Sequence, residues 1–217
     1  KYLLTIPAFL DRALPAAKAC GIEEIFILGE APEGTTPFVD LLANEGNASS
    51  VEIDPQKDLV ALPYSSGTTG LSKGVMLTHA NLIANMVISA ELNTTDDTDC
   101  TVGVLPFFHI YGMVLILNLA IYRGTKLVTM PRFDLEQFLQ IVQEHKVTVL
   151  SLVPPIIIAL AKHPIVDNYD VSSVRTIGSG AAPLGEELEQ ACAARLGCEI
   201  YQGFGLTEVA GASHVNS

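Results

Sequence analysis

Short apolar runs alternate with segments of helical periodicity along this chain, and the alternation constrains its fold more than any other feature. Residues 147–152 and 174–178 have the length and composition of buried strands, whereas residues 135–145 place their apolar side chains on one helical face. Such alternation predicts an α/β architecture with largely parallel sheets flanked by helices. Ligands in folds of this kind bind where strands end and loops begin.

The predicted elements cover most of the chain. Strands are expected at residues 2–6, 24–28, 58–64, 101–105, 125–130, 147–152, 174–178 and 199–201. Helices are expected at residues 7–20, 78–92, 112–122, 135–145, 156–162 and 185–196, with a short helix near residues 39–44. A chain of 217 residues suits one large domain or two small ones.

The composition argues against several classes of function. The formal net charge of −12 disfavours non-specific nucleic-acid binding, which requires basic surface, although a local anion site can still be positive. The longest apolar stretch, residues 110–122, is too short to cross a bilayer as a helix. Cys20, Cys100, Cys192 and Cys198 form no Cys-x-x-Cys pair, which favours reduced thiols in a cytosol-like compartment.

The segment from Ser65 to Gly74 concentrates hydroxyl residues, glycines and one lysine directly after an apolar run. Glycines let backbone N–H groups turn toward an anion, hydroxyls add donors, and Lys73 adds a positive charge, so the loop is suited to a polyphosphate. The order Lys73-Gly74-Val75 differs from the P-loop, in which Ser or Thr follows the lysine. The alternative is an ordinary solvated loop, but an apolar run resumes at Val75, which favours a short connection inside a compact fold.

Three further segments follow predicted strands. In residues 106–112, His109 lies between aromatic residues, and the alternative for a lone histidine is a half-buried structural role. In residues 203–208, Phe204 can face a purine, Thr207 can donate to a phosphate and Glu208 can ligate Mg²⁺ through oxygen. The small residues 179–183 leave room for a flat ligand, or simply form a tight turn between a strand and a helix.

Together, the four segments resemble the adenylate-forming superfamily of acyl-CoA synthetases, luciferases and peptide-synthetase adenylation domains. The matching stretches are residues 64–74, 108–111, 178–183 and 201–208, in that order, and the resemblance extends from about Asp54 onward. The chain is most similar to 4-coumarate–CoA ligases and luciferase-like ligases. The resemblance implies ATP-dependent activation of a carboxylic acid to an acyl-adenylate, followed by transfer of the acyl group to coenzyme A.

The resemblance also assigns roles to individual residues. Those implied around ATP are Ser65, Ser66, Gly67, Thr68, Thr69, Gly70, Lys73, Ala181, Ala182, Pro183, Gln202, Gly203, Phe204, Gly205 and Thr207. Those implied around the acid are His109, Tyr111, Ala181, Gln202 and Gly203. Lys73, His109, Thr207 and Glu208 are the implied catalytic residues, Glu208 is the implied Mg²⁺ ligand, and Arg132 stands where these ligases have a lysine near coenzyme A.

The chain departs from the family pattern at several points. Ser72 replaces a common proline and Phe204 replaces the usual tyrosine, which keeps a stacking face but removes a phenolic hydroxyl. The ribose-binding aspartate, the hinge and the C-terminal lid domain with its lysine are expected beyond residue 217. Residues 1–217 are therefore expected to be the central portion of the AMP-binding N-terminal domain, unable to complete catalysis alone.

Alternative interpretations remain open at this point. A truncated or degenerate nucleotide-binding module would bind without catalysis, a peptide-synthetase domain would be followed by a carrier domain, and a P-loop ATPase is disfavoured by the Lys73-Gly74 order. The acid is open among hydroxycinnamates, fatty acids and luciferin-like acids. The expected location is cytoplasmic or peroxisomal, with no nucleic acid among the partners and no prediction of oligomeric state.

Overall fold

The chain begins with a strand, a helix and a second strand, as its apolar pattern predicts. The computed structural model describes residues 1–43, 46, 50–65, 70–92 and 95–216. They form two units, Lys1–Glu52 and Ile53–Ser217. In the first unit, β1 (Tyr2–Thr5), β2 (Glu24–Ile27) and β3 (Thr36–Pro37) form a parallel sheet, and the helices are α1 (Leu10–Cys20) and α2 (Val39–Leu42). Gly21 ends α1 with a φ of 61°, a conformation that suits glycine.

The second unit opens with two antiparallel strand pairs. Strand β4 (Leu59–Ala61) pairs with β7 (Leu77–Thr78), and β5 (Tyr64–Ser65) pairs with β6 (Lys73–Gly74). The prediction of one continuous strand over residues 58–64 is therefore wrong. Pro63, which has no N–H to donate, lies between β4 and β5, and its carbonyl accepts a 2.8 Å hydrogen bond from the Val75 N–H.

The rest of the second unit alternates strands and helices, which confirms the predicted α/β class. The elements are α3 (His79–Leu92), β8 (Cys100–Gly103), a π-helix (Tyr111–Asn118) that continues as α4 (Leu119–Arg123), β9 (Lys126–Thr129), α5 (Leu135–His145), β10 (Val149–Leu152), α6 (Pro154–Lys162), β11 (Thr176–Ser179), α7 (Glu186–Leu196), β12 (Glu199–Leu206) and β13 (Gly211–Val215). Short 3₁₀ helices occupy Pro7–Phe9, Pro164–Asn168 and Thr207–Val209. Among the described helices, none combines the length and apolar character that a bilayer-spanning segment needs.

Parallel pairing orders most of these strands. Strand β8 pairs with β9, and β10, β11 and β12 lie side by side in parallel. Apolar side chains from α5, α6, α7 and the strands form a large core; its fully buried members include Phe138, Leu139, Ile157, Leu160 and Ile177. This burial is the main stabilising contribution to the unit.

Strand β12 extends well beyond the predicted residues 199–201. After Gln202 it leaves the parallel arrangement and pairs antiparallel with β13, with a register shift between Phe204 and Gly205. The expectation of a loop over residues 203–206 is therefore wrong, although a turn does follow at Thr207–Val209. The glycines permit close strand approach, since a Cβ added at Gly205 would lie 2.3 Å from the Gly211 carbonyl oxygen.

A buried carboxylate joins the starts of three strands. Asp99, just before β8, is 5% exposed; it accepts a 2.7 Å hydrogen bond from Arg175 Nη2 and a 2.6 Å hydrogen bond from Thr148 Oγ1. Burial raises the pKa of Asp99, but the bonds from Arg175, Thr148 and the Asp96 backbone outweigh it and hold the pKa below its ordinary value. Because Thr148 precedes β10 and Arg175 precedes β11, this network ties the three strands together at one end.

Candidate active site

The predicted phosphate loop is the connection of the β5–β6 hairpin. Ser65 on β5 is opposite Lys73 on β6, so the hairpin fixes both ends of the loop. Ser66, Gly67, Thr68 and Thr69 lie outside the described residues. Gly70 has a φ of 138°, in the region that favours glycine. The described part of the hairpin therefore places a hydroxyl, on Ser65, opposite a lysine, Lys73.

Ser65 and Lys73 both fit an anionic ligand. The hydroxyl of Ser65 is buried and has no hydrogen-bond partner within the described part of the chain. A buried hydroxyl left unpaired costs about 1–3 kcal/mol, a cost that a phosphate oxygen would remove. The described ion pairs do not involve Lys73, which is exposed. Both groups are thus available for hydrogen bonds to phosphate.

A small apolar cluster draws three of the predicted segments together. Its buried members are Leu77, Ile110, Val114 and Ala210. Leu77 follows Lys73-Gly74, Ile110 lies between His109 and Tyr111, and Ala210 directly follows the Thr207–Val209 turn. Strand β5 also contacts this turn. The phosphate-loop hairpin, the histidine segment and the Thr207-Glu208 segment are therefore neighbours in space.

His109 has a defined orientation at the start of the π-helix. Its Nδ1 accepts a 3.2 Å hydrogen bond from the Tyr111 backbone N–H. An acceptor nitrogen carries no proton, so the neutral imidazole has its N–H at Nε2. His109 is exposed and lines the cleft described below, where Nε2–H can donate to an anionic oxygen.

Tyr111 connects the π-helix to the parallel sheet. Its hydroxyl lies 3.1 Å from the Gly178 carbonyl oxygen and 3.3 Å from the Leu152 carbonyl oxygen. A Cβ added at Gly180 would lie 2.8 Å from the tyrosine ring, so only glycine leaves room for the ring. Burial raises the pKa of the Tyr111 phenol, which therefore acts as a neutral donor. These contacts join the histidine segment to the 179–183 segment.

Several predicted residues meet at one cavity of about 280 Å³. Its lining includes His109, Tyr111, Ala181, Gly203, Phe204 and Gly205. Phe204 is 60% exposed, and its ring lies 6.3 Å from that of His214. Helix residues such as Leu115 and Leu119 supply the apolar lining, and Ser151 and Thr176 supply hydroxyls from the sheet. The cleft therefore combines apolar walls with a few polar groups, as small-molecule sites do.

Side chains from other parts of the chain hold the 181–184 loop in place. Gln202 Oε1 accepts a 2.9 Å hydrogen bond from the Leu184 N–H, and Gln202 Nε2 donates to the Leu184 carbonyl oxygen at 3.0 Å. The same Nε2 donates to Glu189 Oε2 at 2.6 Å. Ala181 has a φ of 71°, which is strained for a residue with a Cβ. No sequence motif identifies Glu189, because its hydrogen-bond partner Gln202 is 13 residues away on a different element.

The remaining predicted residues lie outside the cavity lining. Ala182, Pro183 and Arg132 are exposed, Thr207 is half-buried, and Glu208 is exposed on the 3₁₀ turn. Within the described ranges, no cluster of three or more His, Cys, Asp or Glu side chains could hold a metal ion by itself. A single carboxylate fits Mg²⁺ nonetheless, because protein-bound Mg²⁺ commonly takes one or two carboxylates together with substrate phosphates and water.

Known proteins are similar to this chain in sequence and in fold. The profile of the family described as "AMP-binding enzyme" matches residues 8–217. The chain is 45% identical to 4-coumarate–CoA ligase 1 of Solanum tuberosum over 191 residues, which cover 85% of this chain and 35% of the relative. A natural red-emitting luciferase from Phrixothrix hirtus has a TM-score of 0.84 at 28% identity, over 99% of this chain and 43% of the luciferase. ATP-bound MatB from Rhodopseudomonas palustris has a TM-score of 0.85 at 27% identity, over 100% of this chain and 42% of MatB. The chain thus spans 35% of the length of the curated relative with which it shares 45% identity.

Proposed function

Because this chain belongs to the AMP-binding enzyme family, we propose that the full-length protein is an acid–thiol ligase that activates a carboxylic acid with MgATP and transfers it to coenzyme A. The observation that carries the proposal is the convergence of the predicted segments. One apolar cluster joins the Lys73, His109 and Thr207 segments, and one cavity joins His109, Tyr111 and Ala181. The similarity to 4-coumarate–CoA ligases and to an ATP-bound structure supports the same chemistry.

In the first half-reaction a carboxylate oxygen of the acid attacks the α-phosphorus of ATP. The new carboxyl–phosphorus linkage forms as the bond to pyrophosphate breaks, and negative charge accumulates on the phosphate oxygens. Ser65 and Lys73 hold the β- and γ-phosphates, and Thr207 donates to the α-phosphate. His109 Nε2–H donates to the acid carboxylate or to the adenylate, and thereby positions the nucleophile.

Glu208 would hold Mg²⁺ together with the phosphates, and the bound ion would offset charge on the phosphate oxygens. The backbone of residues 181–183 and the face of Phe204 border the adenine, and Gln202 keeps that backbone in place through Leu184. Tyr111 and Gly203 border the acyl group. This arrangement requires no protein nucleophile, since the acid itself supplies the attacking oxygen.

In the second half-reaction the thiol of coenzyme A attacks the acyl carbonyl carbon and AMP leaves. Arg132, exposed after β9, borders coenzyme A in this proposal. In this proposal the chain is the central portion of the large N-terminal domain, since it covers 35% of the length of a 4-coumarate–CoA ligase relative. The proposal also places the full-length protein in the cytoplasm or the peroxisome.

The acid is best sought first among hydroxycinnamates. Relatives named 4-coumarate–CoA ligase share 41–46% identity with this chain. The cavity beside Tyr111 and Gly203 combines apolar walls with a few polar groups, which suits an aromatic acid with a polar substituent. Apolar helix residues flank it, and the hydroxyls of Ser151 and Thr176 can accept or donate to a polar ring substituent.

A pyrophosphate-exchange assay tests the function. The full-length protein is incubated with ATP, labelled pyrophosphate and a panel of hydroxycinnamic, fatty and luciferin-like acids. Acid-dependent exchange that disappears when EDTA removes Mg²⁺ is expected, together with thioester formation when coenzyme A is added. No exchange with any acid, in a preparation that still binds ATP, would instead indicate a nucleotide-binding module without catalysis.

A further inference from the structure

Asn85 connects the helix after the phosphate-loop hairpin to the segment after Glu208. It lies in the second turn of α3, half-buried, and its Nδ2 donates to two backbone carbonyls. These are the Ala212 oxygen at 2.7 Å and the Val209 oxygen at 3.1 Å. Ser89, one turn further along α3, donates to Asn85 Oδ1 at 3.3 Å and so fixes the orientation of the amide.

The segment that Asn85 holds has an unusual backbone. Ala210 has a φ of 61° and Gly211 a φ of 138°, so two consecutive residues have positive φ. A Cβ added at Gly211 would lie 2.6 Å from Asn85 Oδ1, which shows how closely the amide and this backbone approach. Strained backbone persists only where its surroundings enforce it. The two hydrogen bonds from Asn85 flank Ala210, the residue of the two whose positive φ is strained, and are a direct source of that constraint.

Ala210 and Gly211 also determine the backbone conformation of the preceding Thr207–Val209 turn. The Ala210 N–H donates to the Thr207 carbonyl oxygen at 3.1 Å and closes the Thr207–Val209 turn. The directions of the Thr207 hydroxyl and the Glu208 carboxylate follow from this backbone. An amide that holds the Val209 carbonyl therefore also restrains the backbone from which these two side chains project.

We propose that Asn85 is a positioning residue that aims Thr207 and Glu208 at the α-phosphate and its magnesium. The inference rests on the proposed function of Thr207 and Glu208. Asn85 would link α3, the helix after the phosphate-loop hairpin, to the Thr207–Val209 turn at which we place the α-phosphate. The amide touches neither ligand; it acts through the backbone of residues 209–212.

The test compares Asn85→Asp and Asn85→Ala with Asn81→Ala in the full-length protein. Asn85→Asp keeps the size of the side chain but sets a carboxylate against two carbonyl oxygens. Asn81, one turn earlier on α3, forms a capping box with Thr78, since its Oδ1 accepts from the Thr78 N–H at 3.0 Å. Asn81→Ala therefore weakens the same helix without touching the Thr207–Val209 turn.

Misdirected Thr207 and Glu208 should slow the chemical step more than they weaken ATP binding. For Asn85→Asp, kcat for adenylate formation should fall about a hundredfold, as for a misplacement near 1 Å, while KM for ATP changes less than about threefold. The Mg²⁺ concentration for half-maximal rate should rise. Asn81→Ala should keep the wild-type kcat and Mg²⁺ dependence, and equal kinetic effects of the Asn81 and Asn85 variants would overturn the proposal.

Amide hydrogen exchange makes the test independent of turnover. In the full-length protein, peptides covering residues 207–213 should exchange faster in Asn85→Asp than in Asn81→Ala or the wild type. Unchanged exchange there would overturn the positioning role even if no acid is ever activated. An inactive wild type that shows this exchange difference would overturn the proposed function and leave the structural link in place.

Discussion

Glu189 Oε2 accepts a 2.6 Å hydrogen bond from Gln202 Nε2, and the same glutamine amide binds both the N–H and the carbonyl of Leu184. A charged acceptor shortens and strengthens such a bond. Through this chain of contacts, a carboxylate on α7 keeps the strained backbone around Ala181 beside the cavity. The loop is thus organised before any ligand arrives.

Removal of the Glu189 carboxylate should loosen this loop and weaken ATP binding. Glu189→Leu leaves the Gln202 amide without its charged partner, and KM for ATP should rise about tenfold, since a charge-assisted bond contributes about 1.5–3 kcal/mol. Glu189→Gln retains an acceptor and should restore most of the affinity. Glu187→Ala removes an exposed charge from the same helical turn and serves as the control. Equal effects of Glu189→Leu and Glu187→Ala on KM for ATP would contradict the prediction.

Gly180→Ala should displace Tyr111, because the added Cβ would lie 2.8 Å from its ring. Overpacking of this kind typically costs about 1–3 kcal/mol, and here it should also disturb the acyl wall. We expect a lower unfolding midpoint in urea and a higher KM for the acid. Gly185→Ala is the matched control, since nothing lies within 4 Å of a Cβ added there. A wild-type KM for the acid in Gly180→Ala would argue against Tyr111 as part of the acyl pocket.

The Asp99 network should make stability depend on acid pH. The folded pKa of Asp99 lies below its ordinary value of 3.8, so its contribution is present at pH values above that value and is lost as the pH falls toward the folded pKa. Asp99→Asn should lower the free energy of unfolding at pH 7 by about 1.5–3 kcal/mol, as for the loss of a hydrogen bond to a charged group, since the Arg175 side chain is partly exposed. Chemical denaturation from pH 7 to pH 3 should show the two proteins converging only below about pH 4. A constant difference across this range would contradict the prediction.

With Lys73 in its proposed place at the phosphates, Lys73→Ala should reduce kcat/KM for ATP about a hundredfold, because a cation is lost where phosphate charge develops. Lys57 offers a control: its exposed ion pair with Asp54, at 3.0 Å, contributes little to stability. Lys57→Ala should therefore behave like the wild type in initial-rate assays at varied ATP. If the two lysine variants have the same kcat/KM, Lys73 does not contact the phosphates.

Local patterns predict the α/β class and most element positions, because the hydrophobic periodicity of a strand or helix depends on residues close together in the sequence. The helix predicted at residues 135–145 is confirmed as α5, whose side chains Phe138, Leu139 and Val142 are buried on one face. The sequence does not predict the extension of β12, since Gly203 and Gly205 are typical of a turn and only pairing with β13, after the Thr207–Val209 turn, makes them part of a strand. The split at Pro63 was missed for a similar reason, because its two halves have different partners.

The same distinction, between local patterns and contacts made only in the fold, applies to the candidate site. Motif residues such as His109 and Ala181 were visible because their neighbours in the sequence share a recognisable order, and the structure places both at one cavity. Glu189 and Asn85 were not visible, since each acts through a hydrogen bond to a residue or backbone group far away in the sequence. Asn85 reaches 127 residues along the chain to Ala212, a pairing that only the folded backbone creates.

The cluster of Leu77, Ile110, Val114 and Ala210 is distinct from the large core. Small packed units open at lower free energy than large ones. Gentle warming of the full-length protein should therefore abolish the proposed acid-dependent pyrophosphate exchange at a temperature at which the sheet and its covering helices are still folded. Substitutions that stabilise the packing of this small cluster should accordingly raise the inactivation temperature more than substitutions in the large core.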